Sequence, residues 1–325
     1  MSAAMPVVAV TRGDLPGSGI DRLREVAQVR RWDSPTAPSP ADLVTLCQDS
    51  TGLICQSTDR IDADFLSVCP SLKVVSTVGV GFDNIDTGAL DAHHILGGNT
   101  PGVLTETTAD LAFALILAAG RRLKEGLELT RSGKWKPGNI NLLLGQDVHH
   151  ATLGILGYGA IGQAVARRAH GFGMKVLQHS RTPKNHPLAQ DVSLEQLLTQ
   201  SDFVSIHVPL TDQSRGLIGH RELDLMKPTA VLVNTARGAV VDQSALIEAL
   251  RLKKIFAAGL DVTIEEPTPV GDPLLSLVNC IVLPHIGSAS LSTRAQMVDR
   301  AVDNVLAGLR GELLPYPINQ TRAPV

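Results

Sequence analysis

The chain has little of what marks a nucleic-acid-binding protein. Aromatic residues make up only 3% of its 325 residues, so few rings are present to stack on bases. No run of basic residues is longer than two, and the formal net charge is −3. Because nucleic-acid-binding surfaces need clustered positive charge, the composition argues against such a function.

The sequence also shows no paired-cysteine spacing, no signal-peptide pattern and no long apolar run. The four cysteines are scattered without C-x-x-C spacing, which predicts buried thiols in a reducing compartment. The N-terminus lacks the basic region and apolar core of a signal peptide. The most apolar segment, "ADLAFALILAAG", ends at two arginines, short of the roughly 20 residues that cross a bilayer. We therefore expect a cytoplasmic protein without a membrane partner.

Two histidine pairs, at 93–94 and 149–150, raise the question of a metal site. If each pair lies on a strand, its two side chains point to opposite faces of the sheet. No carboxylate or cysteine stands nearby at the usual ligand spacing. We predict no metal.

Apolar and β-branched runs alternate with helical patterns along the chain. The strand candidates include "PVVAV", "GLICQ", "KVVSTVG", "DFVSIHV", "AVLVNTA", "FAAGLDV" and "CIVLPHI". Such alternation predicts an α/β fold with parallel sheets covered on both faces. The stretch "TPGVLTETTADLAFALILAAGRRLKEGLEL" predicts one long helix between two domains, and the last helix, "STRAQMVDRAVDNVLAGLRG", is expected to return to the first domain.

A glycine motif opens the second half. "GILGYGAIG" places Gly157, Gly159 and Gly162 as G-x-G-x-x-G between an apolar run and a helical pattern. In a dinucleotide-binding unit these glycines permit a tight turn, admit a pyrophosphate and bring the helix close to the strand. The alternative is a glycine turn that merely packs a helix on a sheet. The complete strand–turn–helix context favours dinucleotide binding.

The residues after the next strand indicate which dinucleotide is bound. An acidic residue is usual there, where it holds the adenosine ribose, but this chain has Ser180, Arg181 and Thr182. A hydroxyl beside a guanidinium can bind the 2′-phosphate of NADP, which a carboxylate would repel. We therefore predict NADP(H), with NAD(H) less favoured. The alternative is that Arg181 is an ordinary solvated loop residue.

Three apolar runs end in residues that suit hydride transfer to a 2-keto acid. "AVLVNTARG" ends in Arg237, "AAGLDVTIEEP" contains Glu266, and "CIVLPHIGS" contains His285. Ligands bind outside the carboxyl ends of parallel strands, so we expect the three side chains to converge. His285 would donate a proton, Glu266 would raise its pKa, and Arg237 would hold the substrate carboxylate. Each residue also has a structural interpretation, such as a satisfied core histidine.

In chain order, "STVGVGFDNID", "GYGAIG", "NTARG", "GLDVTIEEP" and "LPHIGSAS" resemble the D-isomer-specific 2-hydroxyacid dehydrogenases over nearly the whole sequence. "GQDVHHATLGILG" and "VLPHIGSAS" are most similar to the glyoxylate/hydroxypyruvate reductase and 2-ketogluconate reductase branch. The resemblance implies two Rossmann-like or flavodoxin-like domains: a substrate domain of residues 1–100 and 288–325, and an NADP-binding domain of residues 101–287. It also implies a homodimer and an active site in the cleft between the domains.

The resemblance also implies roles for individual residues. Arg237, Glu266 and His285 match the family's catalytic positions, and the backbone N–H groups of Val80 and Gly81 would receive the substrate carboxylate, with Ser288 as a further substrate contact. Asp261 would orient the nicotinamide carboxamide. The predicted cofactor contacts are Thr108, Gly157, Tyr158, Gly159, Ala160, Ile161, Gly162, Ser180, Arg181, Thr182, Val208, Pro209, Thr235, Ala236, Arg237, Asp261, His285 and Gly287.

These inferences predict an NADPH-dependent reductase that converts 2-keto acids such as glyoxylate, hydroxypyruvate or 2-ketogluconate to D-2-hydroxy acids. Animal members of the branch carry a tryptophan near the position of Leu142, and the smaller side chain predicts room for a longer substrate. The alternative is a binding protein of the same fold that senses dinucleotides without turnover, as in corepressors, because a fold does not prove an activity.

Overall fold

A computed structural model describes residues 5–182 and 186–319 and divides into two compact units. The first unit runs to Leu104 and resumes at Ser288, and the second unit is Thr105–Gly287. The first boundary thus follows residue 104, where the sequence suggested residue 100. The intervening Pro101 stays with the first unit because Arg300 Nη1 donates a hydrogen bond to its carbonyl oxygen.

The first unit is built on a five-stranded parallel sheet. Its strands are β1 (Val7–Val10), β2 (Gln28–Arg31), β3 (Gly52–Cys55), β4 (Val74–Thr77) and β5 (Leu96–Gly98). Its helices are α1 (Gly19–Arg24), α2 (Pro40–Cys47), α3 (Ala63–Val68), α4 (Thr87–Ala92) and α12 (Leu291–Leu309). The strand order is β2-β1-β3-β4-β5. Strands β3 and β4 are buried throughout, in keeping with their apolar sequences.

The second unit is built on a seven-stranded parallel sheet in the order β12-β11-β10-β9-β6-β7-β8. Its strands are β6 (Thr152–Leu156), β7 (Lys175–His179), β8 (Gln190–Asp191), β9 (Phe203–Ile206), β10 (Val231–Asn234), β11 (Ala257–Leu260) and β12 (Cys280–Val282). Its helices are α5 (Thr105–Gly120), α6 (Leu123–Arg131), α7 (Ala160–Gly171), α8 (Leu194–Gln200), α9 (His220–Leu225), α10 (Gln243–Arg251) and α11 (Pro273–Ser276), with a 3₁₀ turn at Gly238–Val240. The predicted α/β class with two parallel-sheet domains is confirmed.

The predicted single helix after residue 100 is wrong. The structure has two helices, α5 and α6, separated at Arg122, whose φ of 54° is left-handed. The Gln146 N–H donates to the Gly120 carbonyl oxygen at 2.8 Å, so an acceptor that a continuing helix needs is already occupied. A contact with a distant part of the chain therefore ends α5.

The cysteines are free thiols, and the described helices include no membrane span. No helix in the described ranges is long and apolar enough to cross a membrane. The four cysteines are free and buried, as predicted. Burial raises the pKa of the Cys280 thiol to about 12, so this thiol is unreactive at neutral pH.

Helix α12 is tied to the first-unit sheet by one buried amide. Asn304 is fully buried, and its Nδ2 donates to Ser76 Oγ and to the Asn99 carbonyl oxygen, each at 3.0 Å. Its Oδ1 accepts the Tyr316 N–H at 3.1 Å. The amide thus joins α12 to β4 and to the segment that follows β5. This is consistent with the expected return of the last helix to the first domain.

We expect Asn304→Leu to destabilise the protein by about 2–3 kcal/mol, because it removes the partner of the buried Asn99 carbonyl oxygen and of the partly buried Tyr316 N–H. Urea unfolding monitored by circular dichroism measures the change. Gln296→Ala, on the exposed side of the same helix, is the control and should change stability by no more than about 0.5 kcal/mol. Equal effects of the two substitutions would contradict the assignment.

Candidate active site

The three predicted catalytic residues follow neighbouring strands of the second-unit sheet. Arg237 comes after β10, Glu266 after β11 and His285 after β12. These strands are adjacent and parallel, so their carboxyl ends lie at the same edge of the sheet. The structure therefore brings the three loops together, as the sequence suggested.

His285 and Glu266 form a direct pair. The Nδ1 atom of His285 lies 2.7 Å from Oε2 of Glu266, and the two side chains are 37% and 31% exposed. The other carboxylate oxygen, Oε1, accepts the Thr263 N–H at 3.2 Å. Sequence reasoning did not identify Thr263, because a backbone donor has no signature in the side-chain pattern.

The electrostatic environment favours the ionised form of Glu266. Burial alone would raise the pKa of this carboxyl, but the hydrogen bond and charge of His285, the Thr263 N–H and the charge of Arg237 together lower it below its ordinary value. The carboxylate lies at hydrogen-bond distance from the His285 ring nitrogen. The pair therefore suits a group that delivers a proton.

Asn234 and Gly238 shape the loop that carries Arg237. The Asn234 side chain, 1% exposed, accepts the Ala236 N–H at 2.9 Å and donates to the Arg237 carbonyl oxygen at 2.9 Å. A Cβ at Gly238 would overlap the backbone of Thr263, so only glycine lets the two loops approach this closely. The loops of Arg237 and Glu266 are thus in backbone contact.

His285 adopts an uncommon backbone conformation. Its φ of 53° is left-handed, which costs on the order of 1–3 kcal/mol for a residue other than glycine. The chain around it is bound to Asp261, whose carbonyl oxygen accepts the His285 N–H at 3.0 Å. Burial raises the pKa of the Asp261 carboxyl above its ordinary value, although N–H groups of the same loop oppose the shift.

The glycine turn has the geometry that a pyrophosphate needs. Gly157 has a φ of 95°, and a Cβ there would lie 2.7 Å from the His207 carbonyl carbon. A Cβ on Gly162 would overlap the Gly157 carbonyl oxygen, whereas one on Gly159 would meet nothing within 4 Å. Gly159 directly precedes α7, and no side chain among the described residues caps this helix. The helix N–H groups and the open space beside Gly159 fit an anionic group.

Ser180 is hydrogen-bonded to the glycine turn. Its Oγ accepts the Tyr158 N–H at 2.9 Å and donates to Gln178 Oε1 at 3.2 Å. Arg181 and Thr182 follow it and are exposed to solvent. The hydroxyl and the guanidinium are therefore both at the end of β7, beside the turn expected to hold the pyrophosphate.

The remaining predicted cofactor contacts lie around the same edge. Val208 and Pro209 follow β9, and Pro209 is exposed. Thr108 approaches Gly287, where an added Cβ would lie 3.4 Å from its Cγ2. The Oγ1 of Thr235 is buried and has no hydrogen-bond partner within the described part of the chain, as expected of a group that a ligand satisfies.

His207 was not selected from the sequence and lies under the glycine turn. Its ring nitrogen Nε2 is 2.8 Å from Ser205 Oγ. Desolvation lowers the pKa of the His207 imidazole to about 4, so the ring is neutral at physiological pH. The ring is therefore a hydrogen-bond partner of Ser205.

Val80 and Gly81 belong to the first unit, in the loop after β4. Asn99 Nδ2 donates to the Val80 carbonyl oxygen at 2.8 Å, and the Thr100 N–H donates to Gly79 at 2.9 Å. Within residues 5–182 and 186–319, no hydrogen bond uses the N–H groups of Val80 and Gly81. Their assignment to the substrate carboxylate, like that of Ser288, stays a prediction.

The histidine pairs do not lie on strands, so that part of the sequence argument is wrong. His93 ends α4 and His94 is left-handed, while His149 and His150 form a turn. Among the residues that the structure describes, no three His, Cys, Asp or Glu side chains are grouped to bind a metal ion.

Comparison with known proteins identifies the type of the second unit. The family model for the NAD binding domain of the D-isomer specific 2-hydroxyacid dehydrogenases matches residues 113–287. A glyoxylate reductase of Korarchaeum cryptofilum is 46% identical over 320 residues, which cover 97% of this chain and 96% of that protein. The second unit is therefore of the nicotinamide-dinucleotide-binding type.

Solved structures extend the similarity to the whole chain. A protein of Thermus thermophilus has a TM-score of 0.91 and 48% identity, covering 96% of this chain and 99% of that one. The NADPH-dependent glyoxylate/hydroxypyruvate reductase of Sinorhizobium meliloti, in complex with NADP and malonate, has a TM-score of 0.88 and 31% identity, covering 99% of each chain.

The lowered pKa of Glu266 predicts a stabilisation that depends on pH. Its contribution is fully present above the ordinary value of 4.5 and is lost as the pH falls through the lower folded-state value. Glu266→Gln should therefore reduce Tm at about pH 6, and this reduction should become smaller as the pH falls below 4.5. Thermal unfolding across this range measures the difference. Glu265→Gln, at the exposed neighbouring position, is the control, and a difference that stays constant toward acid would contradict the prediction.

Proposed function

The chain belongs to the D-isomer-specific 2-hydroxyacid dehydrogenase family, and on this premise we propose that it reduces 2-keto acids to D-2-hydroxy acids with NADPH. The observation that carries the proposal is the 2.7 Å contact between His285 Nδ1 and Glu266 Oε2 at the strand ends. Reduction of a carbonyl group to a hydroxyl group requires a proton donor, and a histidine paired with a carboxylate suits that task. The activity is therefore that of an oxidoreductase.

Each residue of the set has a distinct task. When bound, the reduced nicotinamide supplies the hydride that adds to the carbonyl carbon. His285 uses Nδ1 to bind Glu266, which leaves Nε2 to donate the proton to the carbonyl oxygen. Glu266 stabilises the charged imidazole before that transfer, and Arg237 binds the substrate carboxylate and polarises the ketone.

The loop after β7 supports a preference for NADPH over NADH. Ser180 is anchored to the glycine turn by the Tyr158 N–H, and Arg181 follows it in solvent. Neither residue is acidic, so nothing at these positions repels a 2′-phosphate. The NADP complex of the Sinorhizobium meliloti relative also supports this preference.

Glyoxylate and hydroxypyruvate are the substrates that we propose first, because similar proteins are named for them. The N–H groups of Val80 and Gly81 would bind the substrate carboxylate. 2-Ketogluconate is a further candidate, supported by the small side chain of Leu142. The competing proposal, a dinucleotide-sensing protein without turnover, predicts cofactor binding but no oxidation of NADPH with any of these acids.

We also propose that a second copy of the chain packs against the segment 123–144. Helix α6 has no buried residue. Leu127, Trp135 and Ile140 are 58%, 62% and 91% exposed. Monomers rarely expose so much apolar surface in one region, so a homodimer would remove it from water. A cytoplasmic location also stays a prediction.

The proposed acid is tested by His285→Gln. We expect turnover of glyoxylate and hydroxypyruvate to fall by on the order of 10²-fold or more, while NADPH still binds. Oxidation of NADPH followed by absorbance, with binding followed by fluorescence, separates the two effects. His149→Gln, whose side chain is 65% exposed, is the control. Near-normal turnover in His285→Gln would remove this residue from its role, and no turnover in the unaltered protein would favour the sensing protein.

Cofactor choice is tested by the double substitution Ser180→Asp and Arg181→Ala. The new carboxylate can still accept the Tyr158 N–H, so the turn should be kept while the 2′-phosphate is repelled. We expect NADPH binding to weaken by about 2 kcal/mol or more, with NADH binding maintained. Dissociation constants for both cofactors measure the change. An unchanged ratio of the two constants would show that the loop does not select the cofactor.

A further inference from the structure

Asp261 holds the loop that carries His285. This residue directly follows β11 and is 1% exposed. Its Oδ1 accepts the Ile286 N–H at 2.7 Å and its Oδ2 accepts the Gly287 N–H at 2.7 Å. Its carbonyl oxygen accepts the His285 N–H at 3.0 Å. One residue therefore binds three successive backbone donors.

These bonds act on the strained part of the loop. The left-handed φ of His285 is unfavourable for a side chain with a Cβ, so it persists only where other contacts hold it. The Ile286 and Gly287 N–H groups donate to the Asp261 carboxylate, and hydrogen bonds to an ionised carboxylate are short and strong. They fix the chain on the C-terminal side of His285, while its own N–H is fixed by the Asp261 carbonyl.

From this geometry we infer that Asp261 is a positioning residue, which directs the His285 imidazole toward Glu266 by clamping the backbone of residues 285–287. The inference rests on the proposed function, since it assigns the clamp to the proton donor of that reaction. It is distinct from the role that the resemblance implies, in which the Asp261 carboxylate orients the nicotinamide carboxamide.

A carboxylate is required because two donors converge on it. An asparagine offers one acceptor oxygen, and its amino group would face the second N–H as donor against donor. A Cβ at Gly287 would lie 3.0 Å from Asp261 Oδ2, so even an alanine there would force the carboxylate or the loop to shift. Asp261→Asn and Gly287→Ala therefore disturb the same clamp from its two sides.

The experiment compares Asp261→Asn with Asp202→Asn. Asp202 lies at the opposite edge of the same sheet, where it accepts the Thr152 N–H at 2.9 Å and the Lys227 ammonium at 2.8 Å. We expect Asp261→Asn to lower kcat by on the order of 10²-fold, with the NADPH dissociation constant nearly unchanged. Asp202→Asn also replaces a carboxylate that accepts two hydrogen bonds, but it should keep its kcat.

Amide hydrogen exchange tests the clamp without turnover. In the cofactor-free protein, the amides of Ile286 and Gly287 should exchange about tenfold faster or more in Asp261→Asn and stay protected in Asp202→Asn. If Asp261→Asn does not fold, Gly287→Ala provides the same readout. Unchanged exchange would overturn the inference even if the enzyme is active, whereas faster exchange in a protein without reductase activity would overturn only the proposed function.

A cofactor analogue separates the clamp from the carboxamide role. Replacing the carboxamide by an acetyl group removes the amide N–H that Asp261 would accept. The clamp predicts the same loss of kcat in Asp261→Asn with NADPH and with the reduced 3-acetylpyridine analogue. A loss confined to NADPH, and seen mainly in its binding, would assign Asp261 to the carboxamide and overturn the inference.

Discussion

The hydrogen bond between His285 Nδ1 and Glu266 Oε2 is the contact on which the proposed chemistry depends. Neither residue is close to the other in sequence, and each is held by backbone groups. The Thr263 N–H fixes the carboxylate, and Asp261 fixes the chain next to the imidazole. These backbone hydrogen bonds restrict the positions of both residues, so the chain's own contacts hold the pair in place. Such preorganisation favours efficient proton delivery.

The parallel sheet explains why such distant residues meet. Strands β10, β11 and β12 are neighbours in sequence order as well as in space, so each successive crossover returns the chain to the same edge. The loops that leave this edge carry Arg237, Glu266 and His285. Gly238 allows two of these loops to touch through their backbones. The spacing of the three residues along the sequence thus follows from the length of each strand–helix unit.

Sequence patterns predicted the parts that depend on local chemistry. Continuous apolar runs predicted the buried strands, and the strand ends predicted the meeting of Glu266 and His285. They did not predict β2, β5 or β8, because an edge strand such as "QVRR", the glycine-rich β5 and a two-residue β8 carry little apolar pattern. The break at Arg122 was missed because it depends on a bond from Gln146 to Gly120, which no local window contains.

The residues proposed for cofactor choice and those proposed for proton delivery lie in opposite halves of the second-unit sheet. The glycine turn follows β6, Ser180 follows β7 on one side of it, and the strands of the catalytic loops lie on the other side beyond β9. Ser180 binds Tyr158 and Gln178, whereas the catalytic pair binds Thr263 and Asp261, so the two groups share no hydrogen-bond partner among these contacts. Substitutions in separate networks tend to be additive. Substitutions at Ser180 can therefore be made without altering the contact between His285 and Glu266.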